Sequence, residues 1–278
     1  MSGASVGGVA VSGAGSGTAP RLVASDLDGT LVRSDQTVSE RTRRVLAGVE
    51  QAGALFVMVT GRPPRWMAQV AQDTGHRGLA VCANGALVYD LHTERVVQDF
   101  RIDGGTALQL VEALRADVPG IAFAVEKGLD GFGREASYVP RWDNGEVLVA
   151  PVEELVEPGV VKLLARVEGT RSDDLLARAR EVVGELAECT HSSGDGLVEI
   201  SASGVSKASG LAVLAEQWGV ETSDVIAFGD LPNDLPMLAW AGRSVAMGNA
   251  HPDVRAAADE VTASNDEDGV ARVLERWF

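Results

Sequence analysis

The sequence is poor in cysteine and in positive charge, and each shortage excludes a class of protein. Cys82 and Cys189 stand far apart, so neither a disulfide framework nor a paired-cysteine metal site is expected. Lys and Arg total 24 against 40 Asp and Glu, and the resulting net charge of −16 repels nucleic acid and anionic membrane. An anionic substrate would therefore need a local excess of cation.

Long hydrophobic runs are also missing. No apolar segment approaches the roughly 18 residues of a membrane-spanning helix, and the first basic residue, Arg21, comes too late for a charged signal-peptide start. We therefore expect a soluble, cytoplasmic protein, either a monomer or a weak homodimer. Apolar residues make up 45% of the 278, enough for a sizeable core, and the length favours two domains.

Residues 1–20 have the composition of a flexible tail, because they are mostly Gly, Ser, Ala and Val and carry no charged side chain. The glycines between Val9 and Gly17 suggest a dinucleotide-binding loop. That match fails, because the third glycine comes one place early and Pro20 interrupts the helix that should follow.

After the tail, short apolar runs alternate with amphipathic stretches, which predicts a parallel sheet covered by helices on both faces. The same texture returns near the end of the chain, where a helix is expected around Lys207 to Trp218. Between these halves, residues 89–189 show alternating strands, with helices expected near 106–116 and 173–187. We therefore predict an α/β fold: a Rossmann-like core formed by 21–87 and 192–278, with an α/β cap domain inserted at 88–191.

Polar clusters follow three of the predicted core strands, and parallel strands bring such clusters to one sheet edge. The clusters are Asp26-Leu-Asp28-Gly-Thr30, Thr60-Gly-Arg62 and Gly229-Asp230-Leu-Pro-Asn233-Asp234. A spacing of two places the carboxyls of Asp26 and Asp28 on the same side, where they need a cation or a shared proton. Oxygen ligands of this kind are typical of a Mg²⁺ site.

Each cluster also has a simpler interpretation. Asp26-Leu-Asp28-Gly can be a turn, Thr60-Gly-Arg62 can cap a helix, and Lys207 can be a solvated charge. All of these simpler interpretations would have to be correct in the same chain, so a functional site explains the set better than they do.

The ordered set of Asp26-x-Asp28-x-Thr30, Thr60, Lys207 and Gly229-Asp230-x-x-Asn233-Asp234 resembles the four motifs of the haloacid dehalogenase superfamily. Flanking segments narrow the resemblance to its Cof-type branch. These segments are Cys82-Ala-Asn84-Gly-Ala, Gly204-Val-Ser-Lys207, Met247-Gly-Asn-Ala250 and Asn265-Asp-Glu-Asp-Gly269-Val. The resemblance covers residues 21–278 and implies a Mg²⁺-dependent phosphatase acting on small phosphorylated metabolites.

The resemblance also implies a role for each residue. Asp26 would be the nucleophile and Asp28 the acid and base, while the Asp26 carboxylate, the Asp28 carbonyl and Asp230 would bind Mg²⁺. Thr60 and Lys207 would hold the phosphoryl oxygens. Substrate contacts are also expected from Gly61, Arg62 and Asn233, whereas Asn233 and Asp234 would orient Lys207 and a water rather than bind the metal directly.

Substrate choice should reside in the cap, since the phosphate chemistry is common to all candidates. The polar or aromatic residues that could face the core are Lys127, Arg134, Tyr138, Arg141, Trp142 and His191. Two other functions stay open. One is a phosphomutase using the same aspartyl phosphate, and the other is a regulatory protein that binds a metabolite without turnover.

Overall fold

The computed structural model describes residues 17–141 and 145–278. The strands are β1 (Leu22–Ser25), β2 (Leu55–Val59), β3 (Leu79–Cys82), β4 (Leu87–Asp90), β5 (Arg95–Asp99), β6 (Ile102–Asp103), β7 (Ala122–Glu126), β8 (Phe132–Arg134), β9 (Val147–Val149), β10 (Gly159–Val160), β11 (Lys162–Arg166), β12 (Ala187–Thr190), β13 (Leu197–Ala202), β14 (Val225–Gly229), β15 (Arg243–Ala246) and β16 (Glu260–Val261).

The helices are α1 (Glu40–Gln51), α2 (Met67–Thr74), α3 (Gly104–Asp117), α4 (Val152–Leu155), α5 (Ser172–Val183), α6 (Lys207–Trp218), α7 (Leu235–Trp240), α8 (Pro252–Ala257) and α9 (Gly269–Leu274). Among the described residues, no helix combines the length and the apolar character needed to cross a bilayer.

The larger sheet has eight strands in the order β16-β15-β14-β1-β2-β3-β4-β5. Its pairs are parallel from β16 to β3, whereas β4 and β5 continue it as antiparallel strands. The central strands β1 and β14 are buried along their whole length, as expected for parallel strands with both faces covered. The predicted Rossmann-like core is therefore confirmed.

The second sheet has six mostly antiparallel strands in the order β12-β13-β11-β7-β8-β9. One face packs on α3 and α5 through side chains such as Phe123, Leu163 and Ile200. The opposite face carries a smaller apolar cluster that includes Phe132, Tyr138 and Leu164. Because side chains alternate along a strand, this second face also carries Glu126, Lys162 and Glu199.

Both switches between the core sheet and the cap sheet lie later in the chain than the predicted domain boundaries. Strands β4 and β5 belong to the core sheet, although the cap was predicted to begin at 88, and β13 belongs to the cap sheet, although the core was predicted to resume at 192. The antiparallel pairing of β4 and β5 extends the core sheet past its parallel part. At the return, β13 completes the cap by pairing with β11 and β12.

The end of the predicted tail contacts the core. The Gly17 carbonyl accepts a hydrogen bond from Trp277 Nε1 (3.0 Å), and the Thr18 carbonyl accepts one from Arg243 Nη2 (2.9 Å). Pro20 is buried. These contacts join residues 17–20 to the core, and the remainder of the predicted tail lies outside the described residues.

Candidate active site

The first site element is the loop after β1. Asp26 follows the strand directly and is buried, whereas the Asp28 side chain is 49% exposed. Gly29 has a φ of +80°, which glycine adopts without strain, and a Cβ there would lie 2.3 Å from Asp230 Oδ2. The neighbouring Thr30 hydroxyl donates to Asp230 Oδ1 at 2.8 Å. The missing side chain thus lets the loop after β1 approach the loop after β14.

The lysine that serves this site comes from the start of α6. Ser206 caps the helix, and its hydroxyl accepts from the Ser209 N–H as part of a capping box. Lys207 is 0% exposed, and its Nζ lies 2.8 Å from Asp26 Oδ1 and 2.6 Å from Asp234 Oδ1. Burial lowers the pKa of Lys207, but the two carboxylates raise it more, so the ammonium stays charged.

The loop after β14 supplies the remaining acidic groups. Asp234 Oδ2 accepts from the N–H groups of Asp230 (2.9 Å) and Leu231 (3.0 Å), while its other oxygen accepts from Lys207. Both oxygens of Asp234 are therefore engaged within the protein. Asp234 therefore contacts Lys207, the residue that it was predicted to orient, and Asp26 and Asp230 are the carboxylates left to contact a cation.

The electrostatics of this cluster favour a bound cation. Carboxylate oxygens of Asp26, Asp230 and Asp234 lie within 4.8 Å of one another, and Lys207 is the one cation that the described residues place on them. Burial, reinforced by the Asp234 charge, raises the pKa of Asp26 well above its usual value and that of Asp230 to about 7. The residues present therefore fit Mg²⁺, whose positive charge would relieve this repulsion.

Thr60 and Arg62 follow β2 at the same edge. Thr60 is buried, and its hydroxyl accepts from the Arg62 N–H at 3.0 Å. Arg62 donates to both oxygens of Asp28, from Nε at 2.7 Å and from Nη2 at 2.5 Å. The sequence predicted Arg62 as a substrate contact but gave no indication of this pair. Gly61, Arg62 and Asp28 nevertheless line the cavity described next.

A cavity of about 510 Å³ lies between the core loops and the cap. Asp26 and Asn233 are on its core side, and the second face of the cap sheet forms its opposite wall. The lining residues that sequence reasoning did not single out are Gln36, Pro63, Trp66, Glu126, Phe132, Pro140, Lys162, Leu164, Ser192, Leu197, Leu231 and Glu199. Five of them lie on β7, β11 and β13, where polar residues interrupt otherwise apolar strands: Glu126, Lys162, Leu164, Leu197 and Glu199.

Of the six cap residues proposed from the sequence, Tyr138 lines the cavity, and Trp142 lies outside the described residues. The other four do not line it and are engaged elsewhere. Lys127 and Arg134 donate to backbone carbonyls, Arg141 pairs with Asp195, and His191 Nε2 lies 2.9 Å from Asp173. Of these four, His191 faces the core, since its ring packs edge-to-face against that of His251 before α8, with the centroids 6.4 Å apart. Lys127, Arg134 and Arg141 are held by partners within the cap.

Comparison with known proteins places this site in a family. Residues 23–274 match the family model for haloacid dehalogenase-like hydrolases. A 5-amino-6-(5-phospho-D-ribitylamino)uracil phosphatase of Bacillus subtilis is 30% identical, covering 94% of this chain and 98% of its own length. The pyridoxal phosphate phosphatase of Escherichia coli is 31% identical, covering 91% and 97%.

Solved structures agree with this assignment. The structure of TM0651 from Thermotoga maritima has a TM-score of 0.75 at 29% identity, covering 93% of this chain and 98% of that chain. A haloacid dehalogenase-like hydrolase from Bacillus subtilis has a TM-score of 0.79 at 25% identity, covering 93% and 100%. The chain belongs to the haloacid dehalogenase-like hydrolases, in their Cof-type branch. It is an enzyme that hydrolyses phosphate monoesters.

Proposed function

We propose that this enzyme is a Mg²⁺-dependent phosphatase of small metabolites that works through an aspartyl phosphate on Asp26. The observation that carries the proposal is the buried cluster of Asp26, Lys207, Asp230 and Asp234, in which Asp26 lines a cavity that a small molecule fits. Mg²⁺, held by Asp26, the Asp28 carbonyl and Asp230, would neutralise charge on the phosphoryl group.

The first half-reaction assigns a separate task to each side chain. A carboxylate oxygen of Asp26 attacks phosphorus as the bond to the leaving oxygen breaks. Lys207 fixes the Asp26 carboxylate through its 2.8 Å contact and adds positive charge beside the phosphoryl oxygens. Thr60, at the end of β2, would hold a phosphoryl oxygen. Asp28 donates a proton to the departing alcohol.

The second half-reaction returns the enzyme to its starting state. Asp28, now ionised, takes a proton from water as the water oxygen attacks the phosphorus of the aspartyl phosphate. The acyl phosphate P–O bond breaks, Asp26 is regenerated as a carboxylate, and inorganic phosphate leaves. The Arg62 guanidinium, which grips both oxygens of Asp28, would keep this carboxyl at the cavity edge between the two steps.

The cavity wall also suggests which substrates to test first. Trp66, Phe132 and Tyr138 offer aromatic surface, while Ser192 and the acidic groups offer polar contacts. A leaving group with a flat ring and a polar portion would suit both. The substrates in the names of the two curated relatives carry such rings, so we propose phosphorylated metabolites of this kind ahead of simple sugar phosphates.

A substrate panel tests the function. Pyridoxal phosphate, 5-amino-6-(5-phospho-D-ribitylamino)uracil, hexose phosphates, acetyl phosphate and p-nitrophenyl phosphate would be incubated with enzyme and Mg²⁺, and phosphate release measured. We expect release that stops on chelation and in the Asp26→Asn variant. An isomeric product formed at constant phosphate would instead indicate a phosphomutase. No turnover of any ester would favour the regulatory alternative.

A further inference from the structure

Two charged residues of the cap are buried against the core loops. Lys162 on β11 is 4% exposed and Glu199 on β13 is 5% exposed, and their charged atoms lie 3.2 Å apart. Lys162 also donates to the Gly61 carbonyl at 3.0 Å, so the pair reaches the loop after β2. Burying two ions carries a large desolvation cost, and a pair of hydrophobic residues would often serve stability as well. This suggests a role other than holding the two sheets together.

Glu199 also contacts the core directly. Its Oε2 accepts a hydrogen bond from Asn84 Nδ2 at 2.5 Å, and its Oε1 accepts one from the Ser192 hydroxyl at 3.1 Å. Burial alone would raise the pKa of Glu199, but Lys162 and these donors lower it below its usual value. Glu199 is therefore an ionised carboxylate, which can only accept hydrogen bonds.

Asn84 links Glu199 to the loop after β14, because its side-chain amide contacts both Glu199 and Asn233. Its φ of 59° and the φ of 51° at Ala83 are unusual for residues other than glycine, and such conformations occur where the surrounding structure enforces them. Because Asn84 must turn its NH₂ group to Glu199, its Oδ1 faces the other way. There it accepts a hydrogen bond from Asn233 Nδ2 at 3.1 Å.

Asn233 is the last member of this chain of amides. Since its NH₂ group is turned towards Asn84, its Oδ1 is fixed as the free end of the side chain. This oxygen is buried and has no hydrogen-bond partner among the described residues, and Asn233 lines the cavity together with Asp26. A buried acceptor without a partner is costly, which suggests that a donor or a cation belongs there.

We propose that Glu199, held by Lys162, is a positioning residue. It fixes the amide orientation of Asn84 and hence of Asn233, so that an oxygen rather than an NH₂ group faces the metal and phosphoryl site. The cap would then complete the catalytic site itself and not only select the leaving group. This inference rests on the proposed function only in naming what Asn233 Oδ1 serves.

The Glu199→Gln variant tests the orientation directly, because a glutamine amide offers either a donor or an acceptor to Asn84. Mg²⁺ alone would be titrated into the protein by calorimetry, and acetyl phosphate would serve as a substrate too small to contact the cap. We expect the Mg²⁺ dissociation constant to rise about tenfold and kcat with acetyl phosphate to fall by a similar factor, as for other groups that orient metal ligands.

Glu135→Gln is the matched control. Glu135 is a largely buried cap carboxylate held by Arg115 and by the Phe123 N–H, and it does not line the cavity. It should leave both values unchanged. Thermal unfolding of each variant separates loss of folding from loss of orientation. If Glu199→Gln kept its Mg²⁺ affinity and its acetyl phosphate turnover but lost activity on larger esters, Glu199 would be a specificity residue and the proposal would fall.

A second variant gives a result that a merely structural role would not produce. In the double variant Glu199→Gln with Asn233→Asp, the hydrogen bonds can run in the opposite direction: the new glutamine donates to Asn84, Asn84 donates to the new carboxylate, and an oxygen still faces the site. Glu199→Gln should therefore cost less than about threefold in Mg²⁺ affinity in the Asn233→Asp background, against about tenfold alone. Equal costs in both backgrounds would overturn the proposal. Because Mg²⁺ binding is measured without turnover, the result stands apart from any failure of the phosphatase assignment.

Discussion

Asp26 and Asp28 are two residues apart but lie in different surroundings. Asp26 is buried against Lys207, whereas Asp28 is half exposed and paired with Arg62. We expect Asp26→Asn to abolish turnover of every ester, because it removes the attacking oxygen. Asp28→Asn should remove only proton transfer, worth roughly 10²–10⁴ in rate, and should affect alkyl esters in the first step.

Activated esters distinguish the two roles more sharply. Since p-nitrophenolate leaves without a proton, Asp28→Asn should release a burst of it and then turn over slowly, with phosphoenzyme trapped on Asp26. Rapid-mixing absorbance and mass spectrometry of the quenched protein measure both effects. Activity in Asp26→Asn, together with no burst in Asp28→Asn, would require the two assignments to be exchanged.

Gly29 provides a second test at the scale of one residue. In Gly29→Ala the new Cβ would clash with Asp230 Oδ2, so the carboxylate must move away from Asp26. Gly53 is a matched control, because its φ of +76° is similar but a Cβ there meets nothing within 4 Å. Gly53→Ala should lower the free energy of unfolding by about 1 kcal/mol and leave Mg²⁺ affinity unchanged. Gly29→Ala should weaken Mg²⁺ binding at least tenfold in calorimetry. Equal Mg²⁺ affinity in the two variants would show that Asp230 does not need this close approach.

Elements with strong periodicity and clear end signals could be predicted from the sequence. The sheet to which a strand near a domain boundary belongs could not. The helix expected from Lys207 to Trp218 begins and ends at those residues, because Ser206 caps it and Gly219 adopts a left-handed conformation after it. By contrast, β13 was assigned to the core. Its alternation indicates a strand, but nothing in the sequence says that its partners are β11 and β12.

The same reasoning explains which site residues were missed. Asp26 and Asp230 were found because each follows an apolar run that ends at the carboxyl edge of the sheet. Lys162 and Glu199 lie inside strands, where a charged residue normally faces solvent. Their burial depends on the approach of the cap to Gly61 and Asn84, and that long-range contact leaves no local pattern.

The meeting of the β1 and β14 loops predicts a pH-dependent effect of Mg²⁺ on stability. Burial beside Asp234 raises the pKa of Asp230 to about 7 from an ordinary value of 3.8. The folded state without metal therefore holds a proton that the unfolded chain has already lost, so its free energy of unfolding falls as pH rises from about 4 to about 7. Mg²⁺ binds the ionised form and should restore that stability.

Thermal unfolding with and without Mg²⁺ measures this effect. The rise in Tm on adding Mg²⁺ should be larger at about pH 8 than at about pH 6, where the proton competes with the metal. Comparing samples at the same pH cancels the titration of groups far from the site. Asp230→Asn should show little Mg²⁺ effect at either pH. A rise in Tm that is independent of pH in the parent protein would contradict the assignment of Asp230 as a metal ligand.

On the scale of the whole molecule, the net charge of −16 opposes the capture of a phosphate ester. The compensating cations, Lys207 and a bound Mg²⁺, act within a few ångströms, whereas the summed surface charge acts over the Debye length. That length is about 30 Å at 0.01 M salt and about 8 Å at 0.15 M. Added salt should therefore remove the long-range repulsion while leaving the buried contacts at the reacting centre nearly untouched.

Steady-state kinetics at saturating Mg²⁺ can separate the long-range repulsion of the substrate from its short-range attraction to the site. Raising NaCl from about 10 mM to about 150 mM should increase kcat/KM severalfold with little change in kcat, because capture of the dianion improves and the chemistry does not. Sucrose at matched osmolarity should have no such effect.

Glu185, Glu216 and Glu221 are exposed, and the described residues give them no ion-pair partner. Replacing all three by Gln removes three negative charges and should flatten the salt dependence. A fall in kcat/KM with salt would mean that attraction to Lys207 and Mg²⁺ at the site, and not repulsion by the net charge, governs the approach of the substrate.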